Sequence, residues 1–211
     1  MQDHISAMVY ALLSNLREWK TIEKKKGKLD EIFCYFNIEQ LKQKDKTKLT
    51  KEILAEGCGN LCIWKQMRGL NYDIEILEKI DREENGINKY FLKTPQLDLV
   101  KQLIKDGAKY RMENFGPALI SEYLKGVGVD IVKPDRHLCR IVGRLGFSRK
   151  QKNNEWETFE ICENISRELG IPQREVDTIL WQFCVEDKVN ICTATPKCAE
   201  CPIKGCPSRN A

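Results

Sequence analysis

Residues Asn114–Phe147 read NFGPALISEYLKGVGVDIVKPDRHLCRIVGRLGF, and this stretch decides the fold. It starts with a tight polar turn at Asn114–Gly116, after which Pro117 opens a helix, a first helical position that proline often occupies. A Gly/Val-rich connection then leads to Pro134 and Asp135, which begin a second, basic helix. From this stretch alone, the simplest interpretation of Asp135 is that of a helix N-cap.

A second motif, CTATPKCAECPIKGC, follows near the end of the sequence. Its four cysteines have the spacing C-x5-C-x2-C-x4-C and are Cys192, Cys198, Cys201 and Cys206. Four thiolates suit zinc or an iron–sulfur cluster, and the spacing alone leaves both open. Disulfides are disfavoured, because the chain opens MQDHISAMVYALL without the basic region of a secretory signal and the other cysteines are scattered singly.

Together the two motifs resemble those of the helix-hairpin-helix DNA glycosylases of the endonuclease III type. The catalytic segment of that family reads Val-Asp-Thr-His-Val-x-Arg-Val-x-x-Arg-Leu-Gly. The segment KPDRHLCRIVGRLG matches it at Asp135, His137, Arg140, Arg144, Leu145 and Gly146. The family ends in a [4Fe-4S] loop of pattern C-x6-C-x2-C-x5-C, and PKCAECP keeps its centre while each outer gap is one residue shorter. The resemblance covers roughly residues 5–206.

The expected fold is all-α, since apolar residues recur at helical spacing and no stretch alternates long enough for a strand. The pattern predicts one continuous helix over residues 4–20, a solvated connection at 24–28, and helices at 73–82, 155–169 and from Pro172 onwards. The resemblance implies two helical domains. Residues 21–131 would form a six-helix barrel with the helix-hairpin-helix motif, and residues 1–20 and 132–211 would form the cluster-bearing domain.

The resemblance also implies an activity, base excision from DNA. Breaking an N-glycosidic bond builds positive charge on the sugar, so an anion that also orients a water is required, and Asp135 occupies the position of the family's catalytic aspartate. The hairpin would offer main-chain N–H groups to a DNA phosphate. We place it at Asn114, Phe115, Gly116 and Pro117. A rival string at 124–128 lies too close to Asp135 to leave room for the second helix.

The hairpin placement also predicts the mechanism. Family members with lyase activity carry a lysine eighteen residues before the aspartate, and here that position is Pro117, which has no amine. We therefore expect a monofunctional glycosylase, with Lys125 and Lys133 as the only nearby amines that could restore a Schiff base. Lys133, Arg136 and His137 are expected at the DNA backbone.

Which base is excised stays open. Tyr10 aligns with a catalytic glutamate found in the adenine-mismatch branch, and Asn15, Arg17 and Trp19 are candidates for probing the base pocket or the opposite strand. The family's short wedge loop after Leu12-Leu13-Ser14 is expected to be missing, because the following residues read as continued helix.

Composition is compatible with this interpretation without requiring it. The net charge of +4 permits nucleic-acid binding, and no apolar run approaches a membrane span. We expect a monomer in the cytoplasm, at the nucleoid, that binds double-stranded DNA carrying a damaged, mismatched or modified base and holds a [4Fe-4S] cluster, with zinc as the alternative. The competing class is a non-catalytic DNA-binding module with a structural metal centre.

Overall fold

The structure is a computed structural model that describes residues 1–150 and 152–209. Across these residues it is all-α and contains no strand. The helices are α1 (Gln2–Leu13), α2 (Trp19–Glu23), α3 (Lys26–Ile32), α4 (Ile38–Gln43), α5 (Lys46–Ala55), α6 (Ile63–Glu83), α7 (Ile87–Lys93), α8 (Gln96–Ile104), α9 (Pro117–Gly126), α10 (Arg136–Arg144), α11 (Glu155–Leu169) and α12 (Gln173–Gln182), with short 3-10 turns at Cys34–Phe36 and Pro207–Arg209.

The chain divides into two compact units, Met1–Val129 and Asp130–Ala211. We refer to them as the N-terminal unit and the C-terminal unit. The predicted domain division assigned residues 1–20 to the cluster-bearing domain, whereas α1 lies in the N-terminal unit and packs against α6 and α9. The boundary between the units falls close to the predicted one at 131.

The N-terminal unit is built around α1. Ile5, Met8, Val9, Leu12 and Leu13 on this helix are completely buried. A polar contact crosses the same core, because the ring nitrogens of His4 lie 2.7 Å from Tyr123 Oη and 2.8 Å from Asn88 Oδ1. Both nitrogens are therefore satisfied, as a buried polar side chain requires.

The C-terminal unit packs α10, α11 and α12 against one another. Its buried apolar side chains include Leu138, Ile141, Val142, Phe159 and Val176. Asp130 fixes the start of α12, since its two carboxylate oxygens accept the N–H groups of Gln173 and Arg174 at 3.1 and 3.0 Å. The cysteine motif follows α12 as a loop without regular secondary structure up to Pro207.

Two predictions for the start of the chain were wrong. The helix expected over 4–20 ends at Leu13, and a turn separates it from α2. Leu16 in that turn has a φ of 55°, a left-handed conformation that no helix permits, and the Nε of Arg17 donates to the carbonyl of Gly59 at 2.6 Å. The connection expected at 24–28 instead contains the start of α3. Further along, α6 is 21 residues long and begins ten residues before the helix predicted at 73–82.

Candidate functional site

Asp135 is the N-cap of α10, as its place after Pro134 predicts. Its backbone is extended, and its Oδ1 accepts the N–H groups of His137 at 2.7 Å and Leu138 at 3.1 Å. Both bonds use the same oxygen, so Oδ2 takes no part in capping. The side chain is half-buried at the surface of the C-terminal unit. Capping therefore fixes the orientation of the carboxylate while one oxygen keeps its acceptor capacity.

His137 and Arg140, in the first turns of α10, contact each other. Arg140 Nη2 lies 3.1 Å from His137 Nδ1 and 3.4 Å from the carbonyl oxygen of Cys192. Because a guanidinium can only donate, Nδ1 is the acceptor and the imidazole is neutral. Burial lowers the pKa of His137, as do Arg140 and the other nearby cations, while the Asp135 carboxylate acts in the opposite direction.

Arg144, at the last turn of α10, holds the cysteine loop. Its Nη1 donates to the carbonyl of Thr193 at 2.6 Å and its Nη2 donates to that of Ala194 at 3.1 Å. The same guanidinium lies 3.5 Å from the Sγ of Cys192. In return, the thiol of Cys206 donates to the carbonyl of Arg144 at 3.2 Å. One helix thus carries the acid at its beginning and binds both ends of the cysteine motif at its end.

The four cysteines of the motif line a single cavity in the C-terminal unit. The rest of its wall is mainly apolar and includes Ile141, Leu145, Phe183, Ile191 and Ile203, with the guanidinium-bearing side chains of Arg144 and Arg209 at its edge. All four thiols are partly exposed and none is in a disulfide. In the part of the chain that the structure describes, no three His, Cys, Asp or Glu side chains form a ready-made metal-binding group.

This donor set fits a metal centre held by thiolates. Four cysteines line one mainly apolar cavity, and Arg144 and Arg209 in its wall would balance the negative charge that such a centre retains. Cys192, Cys198, Cys201 and Cys206 would be the ligands. Cys192 already favours the thiolate, because a hydrogen bond from the Cys184 thiol and the nearby Arg144 lower its pKa to about 6.

Cys184 is a neighbour of this site that the sequence did not single out. It is almost fully buried, it hydrogen-bonds to Cys192, and its thiol lies 3.6 Å from the carbonyl of His137. The hydrogen bond to Cys192 and burial raise its pKa far above the ordinary value of a thiol. No sequence pattern pairs it with Cys192, since the two residues belong to different segments of the chain.

Residues 114–117, where the sequence predicts the hairpin turn, lead directly into α9. Asn114 has a φ of 60°, Gly116 is the N-cap of α9, and Pro117 is its first residue. The helical ladder starts with the Ile120 N–H donating to the Gly116 carbonyl, so the earlier N–H groups of α9 point out of the helix end. The preceding helix, α8, ends at Ile104, and a longer connection, rather than a tight turn alone, separates the two helices.

The predicted base-pocket residues have different environments. Tyr10 is buried, and its hydroxyl donates to Asp30 Oδ1 at 2.5 Å, while burial raises its pKa. Trp19 is half-exposed and packs edge-on against the Tyr10 ring at 6.0 Å between centroids. Asn15 and Arg17 lie in the turn after α1, and Arg17 donates to the carbonyl of Gly59.

Two residues predicted to contact the DNA backbone lie at or just before the start of α10. Arg136 is exposed, and the Lys133 N–H donates to Asp177 Oδ2 at 3.3 Å.

Two exposed leucines were missed. Leu16 is 70% exposed in the turn after α1, and Leu61 is 92% exposed in the loop before α6. The two loops lie together, because Arg17 donates to Gly59 and the Asn60 side chain donates to the carbonyl of Leu12 at 3.0 Å. The run Gly57-Cys58-Gly59-Asn60 signals the second loop, but helical periodicity conceals the first.

No protein-family model matches this sequence, and no curated protein or solved structure matches it. Within the described residues, none of the helices combines the length and the apolar character needed to cross a bilayer. The geometry of the site therefore carries the functional argument.

Proposed function

We propose that the protein is a monofunctional DNA glycosylase that hydrolyses the N-glycosidic bond of a damaged, mismatched or modified base. The observation that carries the proposal is the double role of α10, which presents Asp135 at its N-terminus and binds the four-cysteine loop through Arg140 and Arg144. Two motifs that resemble one enzyme family are thereby physically joined. The all-α fold supports the same class.

Asp135 supplies the chemistry. A base that leaves the sugar draws electrons with it, and the positive charge that develops on the sugar is stabilised by a nearby carboxylate. Oδ1 is fixed by two main-chain N–H groups, and Oδ2 is the oxygen that would face the sugar and orient the attacking water.

Pro117 is the reason for a hydrolytic mechanism. A Schiff base requires an amine at this point of the hairpin, and the pyrrolidine ring of Pro117 provides none. The product would be an intact strand with an abasic site. Lys125 and Lys133 lie at the end of α9 and just before Asp135, respectively, and would be the residues to substitute if an adduct formed.

DNA would be held by the hairpin turn and opened by the two exposed leucines. The outward N–H groups at the start of α9 suit a phosphate, and the helix dipole favours the negative charge. Leu16 and Leu61 are side chains of the kind that proteins insert between base steps when they distort a duplex. The motif 192–206 would hold a [4Fe-4S] cluster, which would order this loop and support α10.

The test compares base excision by Asp135→Asn with that by the wild-type protein and by Pro117→Ala. Asparagine keeps the size and capping ability of the aspartate, so the variant should fold and bind DNA while excision slows by about 10²–10⁴. Lesion-bearing duplexes would be treated with protein, then with alkali, and in parallel with borohydride. We expect strand breaks that need alkali and no trapped complex.

Two results would contradict the proposal. Excision by Asp135→Asn at the wild-type rate would remove Asp135 from catalysis. DNA binding without excision of any candidate base would favour the non-catalytic module with a structural metal centre, for which the capping role of Asp135 is sufficient.

A further inference from the structure

Asp73, in the middle of α6, is a buried carboxyl group that the proposed chemistry does not use. Its side chain is completely inaccessible to solvent. Oδ1 accepts the main-chain N–H of Glu113 at 2.5 Å, and Oδ2 has no hydrogen-bond partner among the residues that the structure describes. Burying a carboxylate in this position is unfavourable, and an amide or an apolar residue would cost less free energy. An acid at this position therefore points to a specific role.

Two further contacts lie on the same face of α6. Gly69 precedes Asp73 by one turn, and a Cβ atom there would lie 2.7 Å from Asn114 Nδ2 and 2.8 Å from Glu113 Oε2. One turn earlier still, the carbonyl of Lys65 accepts from Asn114 Nδ2 at 3.5 Å. Positions four apart share one face of a helix, so Lys65, Gly69 and Asp73 form a continuous stripe.

Residues 113 and 114, which this stripe contacts, enter the hairpin turn directly. Asn114 has the left-handed backbone conformation that reverses the chain before Gly116 and Pro117. The Met112 N–H, just before them, donates to the carbonyl of Leu103 at 2.8 Å. The turn is thus held from α8 on its approach and from α6 at the reversal itself.

We propose that the Lys65 carbonyl, Gly69 and Asp73 form a seat that fixes the hairpin turn in its DNA-binding conformation, with Asp73 as the positioning residue. This inference rests on the proposed DNA-binding function of that turn. Gly69 leaves room for the side-chain ends of Glu113 and Asn114, and Asp73 fixes the height of the turn through the Glu113 N–H. We call these three residues the α6 seat.

The seat makes DNA binding sensitive to pH. Burial raises the pKa of Asp73 to about 8, and the charge of Glu113 acts in the same direction, while Arg111 and the hydrogen bond from the Glu113 N–H oppose it. Glu113 and Arg111 both belong to the segment leading into the turn. A released turn would return Asp73 to its ordinary pKa of 3.8, so the preference for the seated turn should weaken as the pH rises from about 4 to about 8 and level off beyond.

The experiment measures affinity for undamaged duplex DNA from pH 5 to 9 by fluorescence anisotropy, and protection of the Glu113 amide by hydrogen exchange. Asp73→Ala should weaken binding by about tenfold near pH 5, as expected for the loss of one buried hydrogen bond, and should deprotect the Glu113 amide. Gly69→Ala meets only side-chain ends of Glu113 and Asn114, which can turn aside, and should have a smaller effect. Asp73→Asn keeps an acceptor and cannot ionise. It should bind more tightly than the wild type at pH 7 and lack the wild-type decline between about pH 5 and 8.

Matched controls are available in the same unit. Asp81, also on α6, accepts the Ile87 N–H at 3.0 Å away from the turn, and a Cβ at Gly27 would meet nothing within 4 Å. Asp81→Ala and Gly27→Ala should therefore leave DNA affinity within about twofold of wild type.

Three outcomes would overturn the seat: wild-type affinity in Asp73→Ala near pH 5, an unprotected Glu113 amide in the wild type, or an identical pH profile in Asp73→Asn and the wild type. If the wild-type protein binds no DNA, the proposed function fails instead. The seat is then judged by hydrogen exchange alone, where Asp73→Asn must keep the protection of the Glu113 amide that Asp73→Ala loses.

Discussion

Some side chains in the N-terminal unit destabilise the folded state. Single substitutions can measure how much each of them lowers the free energy of unfolding. Asp73 is the clearest. Its pKa in the folded protein, about 8, lies far above the ordinary value of 3.8, so the folded state binds a proton that the unfolded state releases. Stability should therefore fall as the pH rises from about 4 to about 8 and level off beyond.

Asp73→Asn should remove this loss. The amide oxygen can still accept the Glu113 N–H, and no proton is linked to folding at this position. We expect the variant to be more stable by ~2–4 kcal/mol at pH 7 and nearly equal to the wild type near pH 4, as measured by urea unfolding across this range. A constant difference at every pH would show that Asp73 titrates normally.

Leu16 provides a second test at this scale. Its left-handed backbone costs any residue with a Cβ about 1–2 kcal/mol, and its side chain is 70% exposed. Leu16→Gly should be more stable than Leu16→Ala by ~1 kcal/mol in thermal unfolding. Both variants lose the side chain that would enter the duplex, so both should excise the base more slowly. Equal stability of the two variants would contradict the turn conformation.

Among the helices, some predictions from the sequence were confirmed and others were wrong. Residues 155–169 form a helix with the predicted bounds, because local signals suffice there, with Gly170 in the left-handed conformation (φ 65°) as its C-cap. The helix expected over 4–20 failed because a long-range contact, from Arg17 to Gly59, competes with local periodicity. The sequence contains both residues but no sign that they meet.

The candidate site divides in the same way. The four cysteines were singled out by their spacing, and Asp135 and Pro117 by the family resemblance of the local motifs that contain them; their roles stay predictions. Cys184, Leu61 and Asp73 were not singled out, because their roles depend on what the fold brings next to them: Cys192, the turn after α1 and the hairpin turn. Contacts that form only in the folded chain leave no local pattern in a single sequence.

Removing the guanidinium of Arg144 tests whether α10 holds the cysteine loop. Arg144→Met keeps the length of the side chain but loses the hydrogen bonds to Thr193 and Ala194. Protein purified without oxygen should contain less than about half of the wild-type metal per chain, because supporting residues affect metal affinity strongly. Arg136→Met, at the exposed start of the same helix, is the control and should retain its metal. Full metal content in both would mean that the loop orders itself.

At the scale of the whole molecule, the division into two units predicts which helices would lose protection without the proposed metal centre. All four candidate ligands belong to the C-terminal unit. Cys198→Ser should therefore reduce hydrogen-exchange protection in α10–α12 by ~10²-fold or more, since metal binding contributes directly to folding. Protection in α1 and α6 should change little. An equal loss in all of these helices would show that the protein unfolds as one cooperative body.

Salt dependence reports on the whole charge distribution. The chain carries 35 Lys and Arg against 31 Asp and Glu, a net charge of only +4, and several lysines form ion pairs with carboxylates, as in Lys42–Glu78 and Lys44–Glu52. Binding to DNA should therefore involve few phosphates, and the slope of log K against log [salt] should be shallow, about −3 to −4. Anisotropy titrations between low and physiological salt would measure it. A slope near −10 would indicate a far larger basic surface.

The linkage of α10 to the cysteine loop has a consequence for biosynthesis. Asp135 is translated well before Cys192 and Cys206, so α10 leaves the ribosome before the carbonyl groups that its arginines bind have been made. A nascent chain stalled after α10 but before Cys192 contains Asp135, but the arginines of α10 still lack the carbonyl groups of the cysteine loop that they bind. Such a chain should not excise a base, and the order of synthesis would thereby withhold the proposed activity until the proposed metal ligands have emerged.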